Sequence, residues 1–331
     1  MKPAANFYFK FDDQKIPRRE KQYENYKAGK IFCFMQPSQS IPVLSTDLVN
    51  RVLARLDFPT PAEANLESLQ DLYTAWCRHM PFDNIRKMIA LREGDDKALP
   101  GLDATDYFEN WLANGSGATC WPMANAFYEL LMALGYQAYR VAGYMRDLGI
   151  LNHASVKVSI SKQEYLADAS LLLNVILPLG QGTFIKQDPV FPVELEADGS
   201  SPLLWLWIRT PPGDEYFYCR IITDPLEFSV FDERYEASRT GSIFNQRLYA
   251  RRNYPGELIV LWGNTRFSKT INGIESRELS QDELCEALHT DIGISYPLIN
   301  EWAASGSLEA SYEKASGPRP PAVTMKPPSQ R

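Results

Sequence analysis

Cys120 stands where a thiol can do chemistry. The stretch Asn114-Gly115-Ser116-Gly117-Ala118-Thr119-Cys120-Trp121-Pro122 runs from a glycine-rich turn into a helix. Thr119 is an N-cap residue type, and Pro122 is tolerated in a first turn. Ala124, Phe127, Leu131 and Leu134 share one helical face, and Gly135 stops the helix. Unpaired N–H groups and the helix dipole favour a thiolate at such a start. A lone cysteine is also a small buried apolar residue, so its partners decide. The chain has only three histidines, His79, His153 and His289. His153 lies in Asn152 to Ile160, whose strict alternation predicts a half-buried strand. A polar turn around Ser161-Lys162-Gln163 follows, and Glu164 to Ala169 returns as a second strand. Positions equidistant from that turn place Asp168 opposite His153, to within a few residues, with opposed Cβ atoms about 5 Å apart. Such a carboxylate can hold one imidazole nitrogen and leave the other for a thiolate. A satisfied histidine and a turn-flanking aspartate are the innocent readings of the same residues.

In order and spacing, Cys120, His153 and Asp168 behind a glycine turn resemble the arylamine N-acetyltransferase family. Further stretches carry the resemblance in the same order. His79-Met80-Pro81-Phe82-Asp83-Asn84-Ile85 is similar to the family's Ile-Pro-Phe-Glu-Asn-Leu segment. Tyr235 to Phe244 is similar to its Ser-Thr-His-Pro-Ser-Ser-x-Phe segment, and Leu284 to Ile294 resembles its closing helix and Phe-Gly-Ile ending. The set spans about residues 45 to 296. It implies an α+β fold with an N-terminal helical bundle, a central antiparallel β-barrel-like domain and a C-terminal α/β lid, around a cysteine-proteinase or transglutaminase-like core. It also implies an N-acyltransferase that passes an acyl group from a thioester through Cys120 to an amine. Phe82, Ser238, Ser242 and Phe244 would line the pocket by the same resemblance. The donor would be a cosubstrate, acetyl-CoA or another acyl thioester, including one on an acyl-carrier protein, with no bound cofactor. Three departures lie near the chemistry. Ser116 replaces the family's arginine before the cysteine, Pro122 replaces its glutamate after it, and Ala169-Ser170-Leu171-Leu172 replaces its Val-Gly-Phe-Gly. An amide synthase of natural-product assembly, a cysteine hydrolase or transglutaminase-like enzyme, and an inert binding protein fit the same residues.

Bulk properties narrow the partners. The 331 residues carry a net charge of −7, which argues against nucleic acid or an anionic membrane as the main partner. Apolar content of 45% and charged content of 23% are those of a soluble globular chain. Five widely spaced cysteines do not form a disulfide framework and suit a reducing compartment. The N-terminus has no apolar stretch of signal-peptide type, and the apolar run Leu171 to Leu179 is interrupted by Asn174 and too short to span a bilayer. A cytoplasmic location is the expectation. Zinc is not expected, because no Cys-x-x-Cys exists and the histidines are far apart. The glycine turn matches neither a nucleophile elbow nor a P-loop. His79 and His289 fall in apolar helical patterns that suit packed histidines, and Arg92 to Lys97 reads as a solvated loop.

The elements that must position the site follow in order. Residues 1–44 form an extension in which Phe7, Phe9 and Phe11 alternate like a strand. Residues 45–140 read as a helical domain holding the nucleophile, with a capping box at Thr60-Pro61-Ala62-Glu63 ahead of Leu66, Leu69, Tyr73 and Trp76. A short helix over Asp103 to Leu112 precedes the Cys120 helix. Residues 141–235 read as the β-barrel-like domain, with strands at Leu203 to Ile208, Tyr216 to Ile222 and Phe228 to Phe231. Residues 173–200 read as an irregular acidic loop. Residues 236–305 form the lid, with a strand at Leu258 to Trp262, a hairpin turn at Asn272-Gly273 and a final helix opened by Ser280-Gln281-Asp282-Glu283. Residues 306–331, rich in proline, read as a disordered tail.

Overall fold

A computed structural model describes residues 44–59, 63–94, 97–180, 182–197, 203–313 and 325–331. The expected strand at Phe7, Phe9 and Phe11 and residues Thr60 to Ala62 lie outside the described residues.

Five helices open the described chain: α1 (Thr46–Arg55), α2 (Leu66–His79), α3 (Ile85–Glu93), α4 (Ala104–Asn114) and α5 (Cys120–Ala133). Each of α1, α2 and α4 starts on a side-chain cap, from Ser45, Asn65 and Asp103 respectively. The cap of α2 is thus Asn65, whose carbonyl accepts the Ser68 N–H at 2.9 Å, and the helix begins later than a cap at Thr60 requires. Its buried stripe is Leu69, Leu72, Tyr73, Trp76 and Cys77, and Leu66 is exposed. Trp76 packs on Tyr107, Phe108 and Phe127, which ties α2 to α4 and α5 in one apolar core. The charged run expected as a loop starts inside α3, which extends to Glu93.

The central sheet has eight antiparallel strands and is nearly closed into a barrel. They are β2 (Gln137–Met145), β3 (His153–Ile160), β4 (Gln163–Ala167), β5 (Leu177–Pro178), β6 (Gly182–Lys186), β7 (Val193–Ala197), β8 (Leu203–Ile208) and β9 (Phe217–Ile222), after a short β1 (Phe82–Asp83) in the other sheet. Their order is β5-β4-β3-β2-β9-β8-β7-β6. Three of these strands come from 173–200, so that stretch is not the irregular loop expected from its composition. In β7, Val193 and Leu195 point inward and the buried Glu194 accepts hydrogen bonds from the backbone and hydroxyl of Ser329. Helix α5 packs across β2 and β3.

Phe228 to Phe231, expected as a strand, opens helix α6 (Phe228–Gly241). Phe231 and Tyr235 are buried on one face, a spacing of four that suits a helix and not a strand. The lid sheet has the order β1-β10-β11-β12-β13, with β10 (Tyr249–Tyr254), β11 (Glu257–Trp262), β12 (Thr265–Thr270) and β13 (Gly273–Glu278). Thr270 pairs with Gly273, so the last hairpin turns on Ile271-Asn272, one residue before the expected Asn272-Gly273. The capping box at Ser280 and Glu283 is present and starts α7 (Gln281–Ala287). That helix is not the last. A π-helical turn (Leu288–Ile292), α8 (Tyr296–Ala304) and α9 (Ser307–Ala310) follow and pack into the lid core through Leu298, Ile299, Trp302 and Leu308. The 306–331 stretch is therefore not wholly a disordered tail. It holds α9 and a terminal turn at Pro328–Gln330, anchored by Ser329 on Glu194 and by Arg331 on Glu196. Among the described residues no helix is long and apolar enough to cross a membrane.

Candidate active site

Cys120 is the first residue of α5 and is 7% exposed. Thr119 occupies the cap position, but its side chain makes no capping bond. The first-turn N–H groups of α5 are thus left without a side-chain cap beside the sulfur. The turn before Cys120 is clamped to β1 by Asp83. Its Oδ1 accepts the hydroxyl of Ser116 at 2.9 Å and the N–H of Ile85 at 3.1 Å, and its Oδ2 accepts the N–H of Gly117 at 2.7 Å. Gly115 sits at φ +72°, and a Cβ on Gly117 would stand 1.9 Å from the carbonyl oxygen of Pro81. Only glycine fits that close approach of two backbones.

His153 is the first residue of β3, 3% exposed, and opposes Gly143 of β2. The residue before it is fixed too: Asn152 accepts the N–H of Met145 at 2.6 Å, and its carbonyl oxygen lies 3.8 Å from the sulfur of Cys120. Asp168 follows the end of β4 and is fully buried. The pairing of Val156 with Ala167, continued one step, sets Asp168 against Ser155. His153 is its diagonal neighbour on the same face, two residues from the directly opposed position. Nε2 of His153 and Oδ2 of Asp168 are nevertheless 2.7 Å apart. Oδ1 of Asp168 accepts the backbone N–H groups of Ser170 at 3.1 Å and Leu171 at 2.8 Å.

The electrostatics favour an ion pair here. Burial opposes charge on His153, but the Asp168 carboxylate, and then Cys120, outweigh it and raise the imidazole to about 10. Burial likewise opposes charge on Asp168, and His153 with the Leu171 N–H holds the carboxyl below its ordinary value. Binding Asp168 through Nε2 leaves Nδ1 of His153 as the nitrogen free for the thiol.

The four residues drawn from resemblance separate into two groups. Phe82 and Phe244 meet, with ring centroids 5.0 Å apart, and both pack on Tyr249, which in turn contacts Trp262. Ser238 and Ser242 belong to the end of α6. Ser238 accepts a hydrogen bond from the buried Lys87 at 2.7 Å, and Ser242 accepts the N–H of Phe244 at 3.2 Å. Burial lowers Lys87 to about 8. His79 closes α2, and His289 stacks on Tyr296 with centroids 4.1 Å apart.

Sequence reasoning missed the residues that hold the backbone after Asp168. Tyr73 donates to the carbonyl of Asp168 at 2.6 Å, Trp76 to that of Ala169 at 2.8 Å, and Asn253 to that of Leu172 at 2.7 Å. Tyr73 and Trp76 were legible only as an apolar stripe. Arg251, also missed, is a buried guanidinium whose charge neighbours include Tyr249, Cys77, Tyr73 and Asp168. Among the described residues no group of three His, Cys, Asp or Glu side chains is placed to hold a metal.

The chain matches the family model described as N-acetyltransferase over residues 65–300. No curated protein matches it. Solved structures do. The arylamine N-acetyltransferase of Mycobacterium tuberculosis superposes with a TM-score of 0.68 at 19% identity, covering 80% of this chain and 100% of that one. The Mycobacterium marinum arylamine N-acetyltransferase, solved in complex with CoA, gives 0.68 at 19% identity and covers 81% and 99%. A variant of the Mycobacterium smegmatis enzyme gives 0.68 at 17% identity and covers 81% and 99%. At such identities the structural likeness speaks to the fold. The family match over 65–300 goes further: the chain belongs to the arylamine N-acetyltransferase family as a divergent member, and it is an acyltransferase.

Proposed function

We propose that the protein transfers an acyl group from a thioester to an amine in two steps through Cys120. The observation that carries the reading is the 2.7 Å contact between His153 and Asp168 beside a cysteine at a helix start. The Cys120 thiolate attacks the thioester carbonyl and forms a C–S bond. The oxyanion that develops lies against the uncapped N–H groups of α5. The carbon–sulfur bond to the donor then breaks, and the departing thiolate takes the proton of the His153 imidazolium. In the second half the amine attacks the acyl-cysteine, neutral His153 takes a proton from the amine nitrogen, and the amide leaves as the Cys120 thiolate re-forms. Thioester and amine give amide and thiol. Asp168 orients the imidazole and stabilises its cation throughout.

The aromatic group of Phe82, Phe244 and Tyr249, tied to the turn before Cys120 by the bridge between Phe82 and Ala118, supports an apolar acyl or aryl group in the substrate. The CoA complex of the Mycobacterium marinum relative supports a CoA thioester as one donor. A different donor, such as an acyl-carrier protein, is favoured by Ser116, which stands where the family has arginine and is fully buried on Asp83. The test is intact mass after incubation with acetyl-CoA, longer acyl-CoAs and acyl-pantetheines, followed by peptide mapping. The reading requires an acyl adduct on Cys120 that an amine discharges as amide. Adducts on another cysteine, or none with any donor, would overturn it.

A further inference from the structure

A polar cavity of about 140 Å³ borders the turn that precedes Cys120, at Gly115. Its lining is Arg55, His79, Trp111, Gly115, Arg252 and Gly293. No carboxylate is among these residues. Arg55 ends α1 with its guanidinium 5.2 Å over the ring of Trp111, and among the described residues it has no hydrogen bond or ion pair. Arg252, on β10, donates from Nη1 to the carbonyl of Ile292 at 2.7 Å, and its buried Nε has no partner among the described residues. Burial, and then the positive charges of Arg252 and Arg78, hold His79 below its ordinary value, against the smaller opposing pull of the nearby Asp57 carboxylate. The wall is rich in donors and cations and poor in anions.

One opposing effect can be sized. The C-terminal ends of α1, α2 and α4 meet here, each carrying at most about half a negative charge. Some of the last carbonyls are already closed, Leu53 by the N–H of Phe58, Ala54 by that of Asp57 and Asn114 by that of Ser295. Two full guanidinium charges exceed what remains. Planar guanidinium groups also bind tetrahedral oxyanions in two-point fashion. The floor of the cavity is coupled to the nucleophile's turn. Ser295 donates its N–H to the carbonyl of Asn114 at 2.8 Å, and a Cβ on Gly115 would stand 2.0 Å from the carbonyl oxygen of Gly293.

We propose that this cavity binds a phosphate group, with Arg55 and Arg252 as its principal ligands and His79 as a third donor. Two sources share that chemistry: the phosphates of an acyl donor's carrier, and free inorganic phosphate or pyrophosphate. The full chain is titrated calorimetrically with inorganic phosphate and with pyrophosphate at constant ionic strength. Saturable one-to-one binding is expected, weakened about tenfold or more in Arg55→Gln. Arg55 is exposed and has no bond to lose in the described residues, and a thermal melt without phosphate checks that the variant is folded. Arg252→Gln is expected to weaken binding in the same direction. A second arm compares coenzyme A with pantetheine, which lacks phosphate. Weaker coenzyme A binding in Arg55→Gln, with pantetheine unchanged, assigns the site to the donor's phosphates. Weaker phosphate binding with coenzyme A unchanged assigns it to the free anion. No saturable binding at millimolar phosphate or pyrophosphate, or equal affinity in the wild type and a folded Arg55→Gln, overturns the proposal.

Discussion

The hydroxyl of Tyr73 donates to the backbone carbonyl of Asp168 at 2.6 Å and accepts the N–H of Leu173 at 3.1 Å. A residue of α2 thus fixes both ends of the loop that carries the carboxylate. Tyr73→Phe keeps the ring in the core and removes both bonds. Because the groups left behind are buried, a loss of about 1–3 kcal/mol in stability is expected. Asp168 should also lose its fixed position, so thiol reactivity at Cys120 should drop although Tyr73 does not touch it. Chemical denaturation and alkylation kinetics on the same variant measure the two effects. A destabilised variant with unchanged alkylation would make Tyr73 structural only.

This pair also shows where sequence reading stopped. The Cys120 helix, the His153 strand, the α4 helix and the Ser280 capping box were legible, because each has a periodic pattern and a local signal. The register between His153 and Asp168 was legible only to within two residues, since a turn of unknown type does not fix it. The four-residue run at Phe228 was misread because so short an apolar stretch fits either period. Strand β6 escaped because it is largely exposed and has little apolar alternation to show. Long-range partners such as Tyr73 with Asp168, or Asp83 with Ser116, leave no spacing signal at all.

Asp83 gives a pH test. Burial raises its carboxyl to about 6, against the hydrogen bonds from Ser116, Ile85 and Gly117 that pull it down. A raised value in the folded state means the native protein keeps a proton that the unfolded chain has released. The stability from this group is full below the ordinary carboxylate value and is lost as pH rises through about 6, with a slope of at most about 1.4 kcal/mol per pH unit. Asp83→Asn has no such titration. The difference in melting temperature between wild type and variant should therefore shift against the wild type from about pH 4 to about pH 6 and then level off. Parallel curves across that window would remove Asp83 as the source.

The thiols should separate in reactivity. Burial pushes Cys77 up to about 12, raises Cys219 well above the ordinary thiol value, and raises Cys285 as well. Cys120 alone of these adjoins an imidazolium and a helix start. Limiting iodoacetamide near neutral pH should label Cys120 first, read by peptide mapping, and His153→Ala should erase the preference. First labelling of Cys33, Cys77, Cys219 or Cys285 would remove the nucleophile assignment.

Asp168→Asn tests the whole arrangement. Asparagine is nearly isosteric and can still accept the N–H groups of Ser170 and Leu171, so the fold should survive. Its amide carries no charge, however, and the coulombic and hydrogen-bond support that lifts His153 against burial is lost. The imidazolium is then no longer favoured, and the amide can hold the ring in the unproductive tautomer. The equivalent change in a serine triad costs about four orders of magnitude in rate. A smaller loss, on the order of a hundredfold at neutral pH, is expected here because a thiolate is the better intrinsic nucleophile. The dependence of the alkylation rate on pH should also change, since His153 loses the carboxylate that raises it. A rate profile measured beside a thermal melt separates the outcomes. Lost reactivity with an unchanged melt supports the triad, a collapsed melt makes Asp168 mainly structural, and an unchanged profile removes it from the mechanism.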